Sequence, residues 1–117
     1  MPDEAPVTVA QAAGQLGLSA YAAGEAIDSA ITGAVVSDLL SYVMANGKRG
    51  NVWVTIQTHS NIIAVAALAG LSAIVIAGGF EPADDTVARA EEEGILVFAS
   101  AETAYTVAGK LWEIGVR

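Results

Sequence analysis

Short β-branched runs alternate with alanine-rich stretches along this chain, four times in succession. Ile31-Thr-Gly-Ala-Val-Val36 precedes Ser37 to Asn46, and Asn51-Val-Trp-Val-Thr-Ile-Gln57 precedes Thr58 to Leu68. Ser72-Ala-Ile-Val-Ile-Ala77 leads through Gly78-Gly79 into Pro82 to Glu93, and Ile95-Leu-Val-Phe-Ala99 leads into Ala101 to Ile114. Apolar strands separated by helical segments predict right-handed βαβ units, hence an α/β fold with a mostly parallel sheet flanked by helices. Sheets of this kind hold ligands beyond the carboxyl ends of their strands. Those ends fall at Gln57 to Asn61, Gly78 to Glu81 and Ser100 to Glu102.

The punctuation between elements is equally readable. Thr8 and Gln11 have capping-box spacing, which predicts a helix from Val9 to about Leu16 closed by Gly17. Leu18 to Tyr21 reads as a short strand ending in a turn near Gly24. Ser37 is expected to cap a helix that begins at Asp38, with that carboxylate at the positive end of the dipole. Thr58 or Ser60 is expected to cap the next helix. Pro82 with Asp84 and Asp85 opens the fourth, and Gly94 ends it. Ser100 is expected to cap the last helix, where Ala104, Val107, Ala108, Leu111 and Trp112 share one apolar face. Residues 1–6 read as a frayed tail and residues 7–117 as a single domain.

Charge and composition narrow the function classes. The 117 residues include 5 Lys and Arg against 13 Asp and Glu, a net charge of −8. Such a surface repels a phosphate backbone, and the lone basic pair, Lys48-Arg49, sits in a turn, so no nucleic-acid partner is expected. The absence of cysteine excludes thiol chemistry, and a single histidine argues against a zinc site, so no metal or cofactor is expected. Ile62 to Phe80 is uncharged with only Ser72 polar, approaching the length of a membrane span. Helix formers precede Gly70 and β-branched residues follow it, and interfacial anchors are missing, so a buried helix and a central strand are expected instead. The acidic opening lacks the features of a secretion signal, which points to a cytoplasmic location. Helices built from alanine bury little apolar area each, so a second copy is expected to complete the burial in a homodimer.

Candidate chemistry concentrates at Thr55-Ile-Gln-Thr-His-Ser-Asn61. At a strand's carboxyl end and a helix's amino end, backbone N–H groups and the dipole favour an anion. Gln57, Thr58, His59, Ser60 and Asn61 are therefore the first candidate ligand-binding residues, with His59 a neutral donor and acceptor. Gly78 and Gly79 form a second candidate loop, because paired glycines permit close backbone approach. Ser100 completes the set from the third rim loop. The chain has neither a P-loop nor a G-x-G-x-x-G signature, and no serine lies in a nucleophile elbow. Asp38, Glu81 and Glu102 have capping or first-turn explanations, so no catalytic residue is assigned.

Ile31-Thr-Gly-Ala-Val-Val-Ser-Asp-Leu-Leu-Ser41, Trp53-Val-Thr-Ile-Gln-Thr-His-Ser-Asn-Ile-Ile-Ala-Val-Ala66, the Ala77-Gly-Gly79 loop and Ala90-Glu-Glu-Glu-Gly-Ile95 together resemble a DRTGG domain. The resemblance spans about Thr8 to Ile114. It implies a fold like the N-terminal domain of HPr kinase/phosphorylase and a regulatory, dimer-forming role. Such modules accompany phosphate acetyltransferases and CBS-domain pyrophosphatases, without a catalytic residue set. Thr58-His59 stands where the family has Asp-Arg, and Ala77 replaces the threonine before the two glycines. A ligand mode that uses that arginine does not transfer, although His59 occupies the same neighbourhood. The P-loop of HPr kinase belongs to a separate domain, so the resemblance implies no kinase activity. The expectation is thus a non-catalytic regulatory module for a nucleotide or phosphorylated metabolite. The alternatives are a protein-interaction or scaffold subunit without a ligand and, third, an enzyme using His59 as acid or base.

Overall fold

In a computed structural model, which describes residues 5–117, five strands form one sheet in the order β1-β5-β4-β3-β2. The expected tail over residues 1–6 lies largely outside the described residues. The strands are β1 (Ser19–Ala22), β2 (Gly33–Val36), β3 (Asn51–Thr55), β4 (Ala73–Ile76) and β5 (Val97–Ala99). The helices are α1 (Val9–Leu16), α2 (Leu40–Asn46), α3 (Asn61–Ala69), α4 (Asp84–Glu93) and α5 (Ala104–Glu113), with a 3-10 turn at Glu25–Asp28. From β2 to β5 every neighbour is parallel, as the βαβ pattern predicts. The exception is β1, which pairs antiparallel with β5 across a register shift between Ala20 and Ala22.

Helices cover both faces of the sheet. Val43 of α2, Ile62, Ile63 and Ala66 of α3 and Ala90 of α4 pack with Trp53, Ile74, Ile76 and Val97 on one face. Val9, Ala12 and Leu16 of α1 and Val107 and Leu111 of α5 pack with Val52, Val54, Val75 and Phe98 on the other. All residues of β3, β4 and β5 are buried, which explains why their sequences are apolar without alternation. The uncharged run from Ile62 to Phe80 divides into α3 and β4, and among the described residues no helix is long and apolar enough to cross a membrane.

The connections after β3 and β4 lead to helices on one face, whereas the connection after β5 leads to α5 on the other. The loops therefore diverge between β4 and β5, and a crevice opens at their carboxyl ends, as at the switch point of other open α/β sheets.

Several helices start later than their capping signals suggest. The capping box of α1 forms as predicted, with Thr8 Oγ1 accepting from Gln11 N and Gln11 Oε1 accepting from Thr8 N. Ser37 does not cap α2; its hydroxyl accepts from Leu39 N at 3.1 Å, closing a local turn before the helix begins at Leu40. No side-chain cap is formed at α3 by Thr58 or Ser60. Ser100 likewise closes a turn with Glu102 N, and Thr103 caps α5 by accepting from Thr106 N. Trp112 departs from the expected buried face of α5: it is 60% exposed, with the Arg117 guanidinium 4.5 Å from its ring centre.

Candidate functional site

The rim at the carboxyl ends of β3, β4 and β5 is stitched together loop by loop. Asp38 is not a first-turn residue of a helix. Its Oδ1 accepts from the Thr55 hydroxyl and from Ile56 N, both at 2.8 Å. Gln57 Nε2 in turn donates to the Asp38 carbonyl at 3.0 Å. Thr55 is buried, so this carboxylate satisfies a hydroxyl that has left water, and it fixes the α2-side loop against the end of β3.

The next stitch joins β3 to α4. The Thr58 carbonyl accepts from Ala83 N at 3.1 Å and from the Thr86 hydroxyl at 2.8 Å. The third joins the loops after β4 and β5: Gly78 N donates to the Glu102 carbonyl at 2.7 Å and Gly79 N to the Ser100 carbonyl at 2.9 Å. Lys110 pairs with Glu102 at 2.8 Å, anchoring the same loop to α5.

These stitches sort the predicted residues into two kinds. Gly78 and Gly79 hold φ of +86° and +82°, as glycine allows, but their N–H groups are occupied and cannot cradle a phosphate. Ser100 is buried, with its hydroxyl engaged by Glu102 N. By contrast, among the described residues nothing accepts from the backbone N–H groups of Thr58, His59, Ser60 and Asn61. Four consecutive open donors thus stand at the amino end of α3, where the dipole adds positive potential. His59 is exposed on this rim, and among the described residues its ring makes no hydrogen bond to a serine or carboxylate.

Two apolar side chains that local sequence patterns do not flag complete the rim. Ile56 is 45% exposed and Phe80 is 51% exposed, and both lie within contact distance of the Gly78 Cβ position. Their signal in the sequence is only that each sits in a loop beside a polar run. A cleft of about 150 Å³ opens beside Phe80, lined by Ser19, Tyr21, Gly79, Glu81 and Ser100 among others. It lies at the divergence of the β4 and β5 loops. The residues from Gln57 to Asn61 border the other side of the β4 loop and do not line this cleft.

Tyr21 closes the cleft by donating its phenol to Glu81 Oε1 at 2.9 Å. The hydrogen bond to Glu81, then burial and the Glu81 charge, raise the Tyr21 pKa above the ordinary 10. The raised value means this contact supports the fold fully below pH 10 and is lost as pH climbs through the folded-state pKa. A difference titration of the phenolate absorbance, wild type minus Tyr21→Phe, is expected to show a midpoint above 10. Glu81→Gln is expected to lower it.

The chain belongs to the DRTGG family: the DRTGG domain model matches residues 22–114. The fold agrees with a solved structure of the CBS and DRTGG domains of the regulatory region of Clostridium perfringens pyrophosphatase, complexed with its activator, diadenosine tetraphosphate. That structure superposes with a TM-score of 0.72 at 17% identity, over 86% of this chain and 44% of the other. This chain thus spans less than half the length of that one. No curated protein matches it in sequence.

Proposed function

We propose that this chain is a non-catalytic regulatory module of the cytoplasm that binds a small anionic ligand, a nucleotide or phosphorylated metabolite, and acts as a homodimer. The observation that carries this reading is the set of open N–H groups from Thr58 to Asn61 beside exposed Ile56 and Phe80. A phosphate would take the amides at the amino end of α3, and a base would rest on Phe80 and Ile56. Gln57, Thr58, His59, Ser60 and Asn61 would orient it, while Gly78, Gly79 and Ser100 shape the loops behind rather than donate. Membership of the DRTGG family and the nucleotide activator of the structurally similar regulatory region support the reading. Lys110, the cation tied to these loops, is paired with Glu102, and the whole chain carries −8, so binding would rest on fixed dipoles rather than on ion pairing.

Thermal unfolding against AMP, ATP, diadenosine tetraphosphate and acetyl phosphate tests this. Saturation at about a hundredfold excess over Kd adds roughly 2.7 kcal/mol of stability. His59→Ala is expected to leave the unliganded protein within about 0.5 kcal/mol, since the ring is exposed, and to shrink the ligand-induced shift. Phe80→Ala is expected to weaken nucleotides more than acetyl phosphate. The absence of a saturable shift with every compound overturns the reading. Turnover of any of them that His59→Ala abolishes would replace it with the enzyme alternative.

A further inference from the structure

The cleft beside Phe80 is edged with hydrogen-bond acceptors. Glu81 lies sixty residues from Tyr21 in the chain, yet the phenol donates to its Oε1 at 2.9 Å. Half-buried Tyr21 thus gives this carboxylate a fixed place at the cleft instead of a freely solvated one. Among the described residues nothing donates to Glu81 Oε2. An ionised carboxylate only accepts, and of its roughly four lone-pair sites Tyr21 takes one. The phenol oxygen, its proton given to Glu81, also keeps acceptor capacity. Among the described residues no lysine or arginine lines the cleft. Such a cleft repels phosphate and suits a ligand part that brings O–H donors. Across the β4 loop, the open amides from Thr58 to Asn61 have the opposite preference. The volume of about 150 Å³ equals about five waters at roughly 30 Å³ each, room for one small ring.

We infer that this cleft is a sugar subsite, in which Glu81 accepts from the vicinal hydroxyls of a ribose whose phosphate lies on the α3 amides. The subsite rests on the proposed phosphate site and narrows its ligand to phosphorylated riboses, free or within a nucleotide. Charge sorts the two ends of such a ligand. Fixed N–H dipoles on one side of the β4 loop take the phosphate, and an anion on the other side takes the hydroxyls. In dinucleotide-binding α/β sheets an acidic side chain accepts from the ribose 2′-hydroxyl in the same way. A second phosphate or a carboxylate in the cleft would meet like charge, so the ligand has one orientation. Phe80 borders the cleft from the β4 loop, and a base attached to that ribose meets its exposed ring. Tyr21 is a positioning residue: it aims the carboxylate and leaves Oε2 for the ligand.

Calorimetric titration of the whole chain with AMP, 2′-deoxy-AMP, ribose 5-phosphate and inorganic phosphate tests the subsite. AMP is expected to bind about tenfold more tightly than 2′-deoxy-AMP, the usual worth of one hydrogen bond to a charged group. Glu81→Ala is expected to bring that ratio close to one. It should bind inorganic phosphate at least as well as wild type, because a negative charge is removed. Tyr21→Phe keeps the ring but frees the carboxylate, and is expected to shrink the ratio without weakening inorganic phosphate. Circular dichroism checks that both variants remain folded. AMP binding more tightly than ribose 5-phosphate supports a nucleotide in the subsite, and equal affinities support a sugar phosphate. Equal affinity for AMP and 2′-deoxy-AMP, or a preference that survives Glu81→Ala, overturns the sugar subsite, while bound inorganic phosphate leaves the α3 site standing. Failure of all four compounds to bind overturns both.

Discussion

Replacing Trp53 with alanine is expected to destabilise the protein by about 3–5 kcal/mol, the range for deleting a large buried aromatic side chain. The ring is fully buried on β3, between β4 and β2, against the α2–α3 layer. Its indole N–H also donates to the Ser37 carbonyl at 2.8 Å, which holds the end of β2 at the turn that presents Asp38. Trp53→Phe separates the two contributions. It keeps most of the apolar contact but leaves the Ser37 carbonyl without its partner, and is expected to cost about 1–3 kcal/mol. Denaturant unfolding at a fixed protein concentration measures both, since any dimer makes stability concentration-dependent. A Trp53→Ala protein within 1 kcal/mol of wild type would mean that this side chain does not organise the core.

Gly78→Val is expected to destabilise the fold by roughly 2–3 kcal/mol, from backbone strain and crowding together. At φ of +86° a β-branched side chain is strained, and its Cβ would meet the Phe80 ring at 3.1 Å and Ile56 at 3.6 Å. Gly79 has a similar φ of +82° but open space around its Cβ position, so Gly79→Ala carries strain alone, about 1–2 kcal/mol. The pair distinguishes packing behind the rim from backbone conformation. Because Gly78 N is already bonded to the Glu102 carbonyl, any loss of ligand binding in Gly78→Val reports a displaced Phe80 and a loosened loop rather than a lost phosphate donor. Equal effects from the two substitutions would contradict the proposed packing of Phe80 and Ile56 over Gly78.

Local signals were legible wherever they depended on a few adjacent residues. The Thr8–Gln11 box and the left-handed Gly17 and Gly94 closing α1 and α4 follow from short-range geometry. The unbroken apolar runs of β3, β4 and β5 likewise reflect burial on both faces. Helices α2, α4 and α5 begin two or three residues after the starts expected for them, whereas α3 begins at Asn61, directly after Ser60. Serine, threonine and aspartate there have uses other than capping: Ser37 and Ser100 close turns, and Asp38 reaches across to Thr55. Local spacing carries no trace of a contact seventeen residues away. The loops after β3, β4 and β5 lie side by side at the strand ends, because the parallel topology dictates it. Which of their amides remain open was not legible, since Gly78 and Gly79 find their acceptors in the loop after β5. The exposure of Phe80 and Ile56 likewise emerges only once three loops are assembled.

Amide chemical-shift mapping during titration with diadenosine tetraphosphate, and separately with inorganic phosphate, shows whether the open amides at the amino end of α3 hold a phosphate. Saturable shifts are expected at Thr58, His59, Ser60 and Asn61 with both compounds, joined by Ile56 and Phe80 only when a base is present. Phosphate binding there would be contradicted if those four amides stayed still, or if the shifts gathered instead at the cleft between Gly24 and Gly94, where Glu25 and Glu91 face the opening at the other end of the sheet.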